Sequence, residues 1–419
     1  MNLRKIFGVG MQLSIRRFTG SRGERFAVLV DDSGMPLFYP TLFVTAEMRG
    51  AGLAVNTIIN SLTAIKALYA WQAYYSTELE SRFKRSELLL THEIHSLRDF
   101  MQIPLVPAQQ LATNVRAIKQ EVRVVGSDSQ YLRLSVIAQY LQFLANRLHP
   151  PTQKSSAAIK EMVRLIKENR PKKDNRSLTD REDNYLSMEV LEAITEALEP
   201  GSQNNPAADF AVQVRNALMF VILRATGVRR GELLNLRIED FSFNKCTVKV
   251  VRRPDSRFDS RKYQPLAKTL GRTIPLSRDI IDAVEIYIRD HRAAVPNANK
   301  HGYLLVTHKS GPFQGQPLSN SGFGRFLSQL ASSASEFEGI HAHALRHHWN
   351  YDFSKIMDEK GVPPEKEQKM RAKLLGWSQT SQMPAIYNRR HITEQAGIAV
   401  VEMQEKILGK KKSKREGDV

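Results

Sequence analysis

The spacing of apolar residues predicts that much of the first 170 residues is helical. From Asn56 onward, apolar residues recur at intervals of three and four, which places them on one side of a helix: Ile58, Leu62, Ile65, Leu68 and Trp71. Similar patterns predict further helices over residues 86–101, 131–148 and 159–168. Residues 45–170 are therefore predicted to form an all-helical domain.

The segment before this domain, residues 1–44, has a different pattern. Two runs of strand-forming residues, 25–30 and 37–39, flank the turn-forming sequence Asp31-Asp32-Ser33-Gly34. This arrangement predicts a β-hairpin. At the other end of the helical domain, residues 171–184 are polar and nearly free of apolar side chains, which is typical of a linker.

A second domain is predicted over residues 185–408. Its helical patterns cover residues 185–198 and 207–224, and the second of these stops at Thr226-Gly227. Two short runs, 247–251 and 272–276, are typical of strands and predict a hairpin with a long polar excursion between them. The predicted fold class is mainly α with a small β-sheet. Residues 409–419 form a basic tail that is predicted to be disordered.

The net charge of the chain indicates which kind of molecule it binds. The 419 residues include 61 Lys and Arg against 43 Asp and Glu, a formal net charge of +18. Such an excess favours a polyanionic partner, above all DNA or RNA. No apolar run is long enough to span a membrane, and the first residues do not resemble a secretory signal. The single cysteine, Cys246, excludes an internal disulfide and any cysteine-built zinc site.

The residue pair with the clearest chemistry is His343 and Arg346. They are three residues apart, so on a helix they share one face and can converge on one ligand. A guanidinium offers a planar fork of donors, and an imidazole can give or take a proton near neutral pH, which suits a phosphate. The alternative is a partly buried polar helix whose histidines have ordinary hydrogen bonds.

Two further groups of residues fit a phosphate site. Arg229 and Glu232 are one helical turn apart after Gly227, so Glu232 can orient the Arg229 guanidinium toward a ligand. Lys268 lies near a predicted turn in the most basic part of the chain outside the tail, residues 245–278. For each group the alternative is an ordinary solvated charge.

Together these sequences resemble one family, the tyrosine recombinases of the phage-integrase group. Thr226-Gly227-Val228-Arg229-Arg230-Gly231-Glu232-Leu233 is similar to the family's first arginine box, and His343-Ala344-Leu345-Arg346-His347 to its second. Leu375-Gly376-Trp377-Ser378, followed by Tyr387, is similar to its third box and nucleophile, and Lys268 before Ile274-Pro275-Leu276 to its hairpin lysine. The resemblance covers residues 45–408, with Asn56-Thr57 typical of the start of the core-binding domain.

Three features differ from the family pattern. Tyr387 follows Trp377 by ten residues, where nine are usual. The excursion between the two predicted strands is also longer than usual, so Lys262 is an alternative hairpin lysine. The N-terminal segment is short and has no convincing arm-site DNA-binding domain.

The resemblance implies a two-domain DNA clamp, with a core-binding domain over 45–170 and a catalytic domain over 185–408. It implies that Arg229 and Arg346 bind the non-bridging phosphate oxygens, with His343 and Trp377 adding hydrogen bonds. Tyr387 would be the nucleophile, Lys268 the general acid, and Glu232 and His347 supporting residues.

The implied function is site-specific DNA recombination or integration through a 3′-phosphotyrosine intermediate, without metal, ATP or other cofactor. The implied partners are double-stranded DNA and copies of the same chain in a homo-tetramer. The resemblance also allows an accessory DNA-bending protein as a further partner. The segment after the nucleophile would contact a neighbouring subunit through Ile398, Val401 and Ile407, or fold back on its own domain. The predicted location is the cytoplasm, at the nucleoid. Two alternative functions are a type IB topoisomerase-like enzyme and a catalytically inactive DNA-binding regulator.

Overall fold

The computed structural model describes most of the chain in two compact units. The units comprise Met1–Leu178 and Thr179–Val419, and their division falls inside the segment predicted to be a linker. The described residues are 12–105, 124–149, 152–172, 186–267, 269–378, 392–393 and 395–408. Across this part of the chain the fold is mainly helical with two small antiparallel sheets, which confirms the predicted fold class.

The first unit combines a β-hairpin with helices around one core. Its elements are β1 (Ser14–Thr19), β2 (Arg25–Val30), α1 (Phe38–Phe43), α2 (Val55–Tyr74), α3 (Leu79–Lys84), α4 (Thr91–Phe100), α5 (Ser127–Leu148) and α6 (Gln153–Glu168). The apolar stripe predicted from Ile58 to Trp71 is the buried face of α2, and the helices predicted near 131–148 and 159–168 are α5 and α6.

The predicted hairpin has a different partner strand. β2 pairs with β1, from Ser14 opposite Val30 to Thr19 opposite Arg25, and residues 37–39 are not a strand because α1 begins at Phe38. The turn at Asp31 exists, but only a single bridge, Val30 to Pro36, follows it. The bridge consists of two hydrogen bonds, from the Asp31 N–H to the Met35 carbonyl (2.9 Å) and from the Leu37 N–H to the Leu29 carbonyl (2.9 Å), and pairing stops there because α1 begins at Phe38.

The helix predicted over residues 86–101 is also shorter than expected. Residues 86–90 are not helical, and α4 begins only at Thr91. Ser86 has a left-handed backbone with φ +67°, which a continuing helix cannot accommodate. The guanidinium of Arg82 holds this bend by donating to the Leu88 carbonyl (3.0 Å) and to the Glu93 carboxylate.

The second unit is a helical domain with a three-stranded antiparallel sheet of order β3–β4–β5. Its elements are α7 (Met188–Ala197), α8 (Phe210–Thr226), α9 (Arg230–Leu233), β3 (Phe241–Ser242), β4 (Thr247–Val250), β5 (Arg272–Pro275), α10 (Arg278–Ile286), α11 (Asn320–Ala331), α12 (Ala342–Glu359) and α13 (Pro364–Leu375). Residues 395–408 are helical as well. The two predicted strands pair from Thr247 opposite Pro275 to Val250 opposite Arg272, as expected for a hairpin.

Helix α8 leads directly to the candidate site. Its first turn is capped by the Asp209 carboxylate, which accepts a hydrogen bond from the Val212 N–H (2.8 Å). Its last turn ends at Gly227, whose φ of +59° is the left-handed conformation that glycine adopts without strain. This turn sends the chain into α9, so that the first arginine box begins beside the C-terminus of a buried helix.

Candidate active site

The second box is anchored to the first box by its arginine. Arg346 lies on α12 and is only 1% exposed, and its Nη1 donates to the main-chain carbonyl oxygen of Gly227 at 2.5 Å. That carbonyl is neutral, so this bond orients the guanidinium without neutralising its charge. Arg346 is therefore bound to the turn that precedes Arg229.

A tryptophan one turn further along α12 makes a second link to the same turn. The Trp349 Nε1–H donates to the Ala225 carbonyl (3.0 Å). Its ring also covers Gly227 so closely that a Cβ at position 227 would lie 2.8 Å from Trp349 Cδ2. Only a glycine fits beneath this ring, because a real Cβ contact of that length does not occur. The backbone at the end of α8 thus packs directly against the Trp349 side chain of α12.

The two histidines of the second box lie next to each other. His343 and His347 are one turn apart on α12, and their ring centroids are 4.5 Å apart in an edge-to-face arrangement. His343 is exposed, whereas His347 is half-buried. His343 is therefore the histidine that can reach a ligand in solution, and His347 packs behind it.

The third box brings an indole to the same place. Trp377 follows α13 and is 7% exposed, and the Arg346 guanidinium carbon lies 5.4 Å from the centroid of its ring. Gly376, which lies between the end of α13 and Trp377, ends that helix with a left-handed φ of +65°. A cation and an aromatic ring at this separation attract each other, and burial strengthens the attraction. Arg346 and Trp377 thus meet, as predicted.

Glu232 has a partner that was not expected, Arg272, in addition to Arg229. Its carboxylate accepts from the main-chain N–H of Arg229 (2.9 Å), but the nearest approach of the two side chains is 3.9 Å, too long for a hydrogen bond. The two side chains therefore form an ion pair without a hydrogen bond, and the prediction that Glu232 orients the Arg229 guanidinium stays a prediction. The carboxylate also binds the Arg272 guanidinium, with Nη2 to Oε2 at 2.9 Å and Nη1 to Oε1 at 3.2 Å.

The environment of Glu232 keeps it ionised. Burial alone would raise the pKa of this carboxyl, but the hydrogen bonds and positive charge of Arg272, together with the Thr269 hydroxyl and the Arg229 N–H, lower the pKa below its ordinary value. Arg229 itself is half-buried. Among the described residues, its Nη1 is buried without a hydrogen-bond partner. An incoming anion would satisfy this donor.

Two of the predicted catalytic residues, Lys268 and Tyr387, lie outside the described residues. The alternative lysine, Lys262, is exposed on the excursion between β4 and β5. Tyr351 lies on α12, in the same helix as the second box, as expected. The structure thus brings together Arg346, Trp377 and the turn before Arg229, with His343 and His347 on the same helix as Arg346.

Two residue groups near the site were not predicted from the sequence. The first is Arg272 with Thr269, because nothing local marks an arginine at the start of a strand as the partner of a glutamate forty residues earlier. The second joins α12 to α13: the buried Arg371 donates to the Glu367 carboxylate and the Ser354 hydroxyl. Burial lowers the pKa of Arg371 to about 10, although Glu367 opposes the change. An i, i+4 pair of Glu and Arg was the only available sequence signal.

Residues 184–394 match the family model described as the phage integrase family, which is half of the chain. The chain belongs to this family. Among curated relatives, it is 27% identical over 169 residues to tyrosine recombinase XerD of Halalkalibacterium halodurans, covering 40% of this chain and 48% of the relative. It is 25% identical over 167 residues to tyrosine recombinase XerC of Staphylococcus haemolyticus, with the same coverage of 40% and 48%. The chain spans about half the length of the curated relatives it matches.

Solved structures of recombinases are also similar. A crystal structure of XerA recombinase has a TM-score of 0.36 at 17% identity, covering 85% of this chain and 97% of that one. XerH site-specific recombinase bound to palindromic difH substrate, in a post-cleavage complex, has a TM-score of 0.41 at 16% identity, covering 82% and 88%. Within the described part of this chain, no helix is long and apolar enough to cross a membrane.

Proposed function

We propose that this protein is a site-specific DNA recombinase that cleaves and rejoins strands through a 3′-phosphotyrosine intermediate. One observation supports this most directly: the buried Arg346 binds the carbonyl of Gly227 and lies against Trp377. The three boxes of a phage-integrase family member are joined at that one guanidinium. A fixed cation is what the charged transition state of phosphoryl transfer requires.

The proposed reaction uses the side chains as follows. The Tyr387 oxygen attacks phosphorus and loses its proton, with His343 helping to accept it, while the bond from phosphorus to the 5′-oxygen breaks. Lys268 gives a proton to the departing 5′-oxygen. Arg229 and Arg346 bind the non-bridging oxygens, and the Trp377 indole donates a further hydrogen bond. Glu232 and His347 have supporting roles.

Strand joining is the reverse of cleavage. A 5′-hydroxyl from another strand attacks the phosphotyrosine and releases the phenol, so the number of phosphodiester bonds is conserved. Because that bond energy is kept in the intermediate, the proposed reaction needs neither ATP nor a metal. Activity in excess EDTA without nucleotide is the expected result.

The proposed partners are duplex DNA and further copies of the chain, four in a synapse. The net charge of +18 supports a DNA partner, since cationic side chains gain affinity by displacing counterions from phosphates. We propose that the protein acts in the cytoplasm, at the nucleoid, in the integration, excision or transposition of a mobile element. An accessory DNA-bending protein is compatible with this role.

The experiment that tests the proposal traps the intermediate. The full chain is incubated with nicked duplexes made from the DNA that flanks its own coding sequence, and denatured samples are examined for a covalent protein–DNA adduct. The wild-type protein is expected to form the adduct, and Tyr387→Phe to form none, with Tyr351→Phe as the matched control that keeps it.

The same experiment distinguishes the alternatives. An inactive DNA-binding regulator would bind these duplexes and form no adduct with any variant. A type IB topoisomerase-like enzyme would form the adduct but relax supercoiled plasmid as a monomer, without exchanging two sites. An adduct that persists in Tyr387→Phe would contradict the nucleophile assignment.

A further inference from the structure

The turn before Trp377 is bound to the loop that leads into β5. The Leu270 N–H donates to the Gly376 carbonyl (3.0 Å), and the Arg272 Nε donates to the Leu374 carbonyl (2.5 Å). Gly376 approaches this loop so closely that a Cβ there would lie 2.6 Å from the Leu270 carbonyl oxygen. The backbone of the third box is therefore bound directly to residues 270–272.

The same arginine also binds the first box. The Arg272 guanidinium pairs with both carboxylate oxygens of Glu232 and donates to the Thr269 hydroxyl at 3.0 Å, and that hydroxyl in turn donates to Glu232. The Arg272 side chain is 5% exposed and the Glu232 side chain is fully buried. One planar group thus spans α9, the loop and the end of α13.

Such a buried ion pair is a poor way to gain stability. The cost of removing both charges from water roughly offsets their attraction, and an apolar pair of similar size would serve the core as well. A bidentate arginine does provide fixed angles between the segments that it joins, which apolar packing does not. The geometry is thus better suited to holding the boxes in register than to stabilising the core.

We propose that Arg272 is a positioning residue for strand cleavage, acting by holding Trp377 in place relative to the first box. This inference rests on the proposed recombinase function. With 5% exposure, Arg272 contributes little surface to a DNA phosphate, so its effect passes through Leu374 and Gly376 to Trp377. An error of about 1 Å in a group that contacts the transition state can cost about a hundredfold in rate.

The test compares two buried arginines of the same unit. Arg272→Lys keeps the positive charge but loses the planar fork. Arg261→Lys is the matched control, because Arg261 is also buried, pairs with Asp259, and donates to the carbonyls of Leu234 and Leu318. The measurements are single-turnover adduct formation on the nicked duplex, equilibrium binding of the same duplex, and the melting temperature of each variant.

The expected result is a split between cleavage and binding. Arg272→Lys should form adduct about 10 to 100 times more slowly, with the dissociation constant of the duplex changed by less than about threefold. Arg261→Lys should cleave within about twofold of the wild-type rate, even if its melting temperature falls as much as that of Arg272→Lys. The double variant Glu232→Gln with Arg272→Met should form adduct no more slowly than the slower of the two single variants, Glu232→Gln and Arg272→Met. Each single substitution already breaks the same ion pair, so the second has nothing further to remove.

Two outcomes would overturn the inference. The first is an Arg272→Lys variant that cleaves at the wild-type rate, and the second is an equal loss of cleavage in Arg261→Lys at an equal loss of melting temperature. Failure of the wild-type protein itself to form any adduct would instead contradict the proposed function, and the two failures are thereby distinguished.

Discussion

Gly227 is the residue on which the candidate site depends most for its shape. Its left-handed φ of +59° ends α8, its carbonyl accepts the Arg346 hydrogen bond, and its missing side chain leaves room for the Trp349 ring. Each of these three features has a different physical basis. A residue with a Cβ would be strained at this φ and would clash with the Trp349 ring, whereas its carbonyl could still accept a hydrogen bond. The glycine of the first box is thus a packing and conformational requirement as well as a turn signal.

Substitution of Gly227 separates these effects. Gly361 is the matched control, because its φ of +62° is nearly the same but nothing lies within 4 Å of a Cβ built there. Gly361→Ala should cost about 1 kcal/mol of unfolding free energy, the penalty of a left-handed alanine. Gly227→Ala should cost about 1–3 kcal/mol more, from the added clash with Trp349. Urea unfolding of both variants measures the difference.

The result also bears on the site. Because the Gly227 carbonyl orients Arg346, Gly227→Ala should slow adduct formation in single turnover more than Gly361→Ala does. Equal stability losses in the two variants would show that the Trp349 contact is not rigid.

Residues of the site differ in how far the sequence predicted them. The resemblance to the family implied that Arg346 and Trp377 share one site, because each belongs to a short contiguous motif of that family. Arg272 could not, since its partners Glu232 and Leu374 lie 40 and 102 residues away and a pairing across such distances leaves no periodic signal. Strand β1 was missed for the same reason: strand formation at Ser14–Thr19 depends on its partner β2.

At the scale of elements, buried polar pairs fix how the helices of the second unit pack. Ser354 on α12 is held by Glu367 and Arg371 on α13, and the Phe353 ring stacks with the Trp349 ring and lies 5.3 Å from the Arg371 guanidinium carbon. Helix α10 is held in a comparable way at its end, where the Tyr287 hydroxyl and the His308 Nε2 are 3.1 Å apart. These contacts connect segments of the chain that the apolar pattern predicts only separately.

The His308 contact predicts a pH dependence of stability. Burial, with a contribution from the positive charge of Arg215, lowers the pKa of His308 to about 4 from an ordinary value near 6.5, against an opposing effect of Asp209. The folded protein therefore disfavours a protonated His308, whereas the unfolded chain accepts the proton. Its contribution to stability is complete above pH 6.5 and is lost as the pH falls toward 4.

Replacing the imidazole should remove that part of the acid sensitivity. After allowance for the partial exposure of His308, the wild-type protein should lose about 1–2 kcal/mol between pH 6.5 and 4 from this group. His308→Gln should show a correspondingly flatter decline in the urea midpoint, followed by tryptophan fluorescence, with both proteins compared first at pH 7.5. An identical decline in the two proteins would contradict the assignment.

At the scale of the whole molecule, the chain has two compact units, each with its own core. We propose that the first acts as the core-binding domain and the second as the catalytic domain of a DNA clamp, joined by residues 171–184. In the first unit, the hairpin residues Ala27 and Leu29 share the core of the helices. The described residues 12–44 are therefore better treated as a part of that unit than as a separate module.

The C-terminal helix, residues 395–408, is the part of the second unit with the most exposed apolar side chains. Every described residue of it is exposed, so the alternative that it folds back on its own domain is not the arrangement in this structure. The predicted contact residues do not all share a face, because Ile398 and Ile407 are nine residues, or about two and a half turns, apart. Val400, Met403 and Ile407 do form one stripe, at 46%, 55% and 54% exposure.

We expect this stripe to hold the proposed tetramer together. An apolar stripe exposed on a helix gains free energy when a neighbouring subunit covers it. Met403→Glu with Ile407→Glu should therefore abolish the four-subunit complex on paired duplexes while leaving binding of one duplex unchanged within about threefold. Ile398→Glu with Val401→Glu, two exposed apolar residues on the other side of the helix, is the matched control. Sedimentation of the protein–DNA complexes measures the assembly, and a tetramer that survives the first pair of substitutions would show that the subunits associate through another surface.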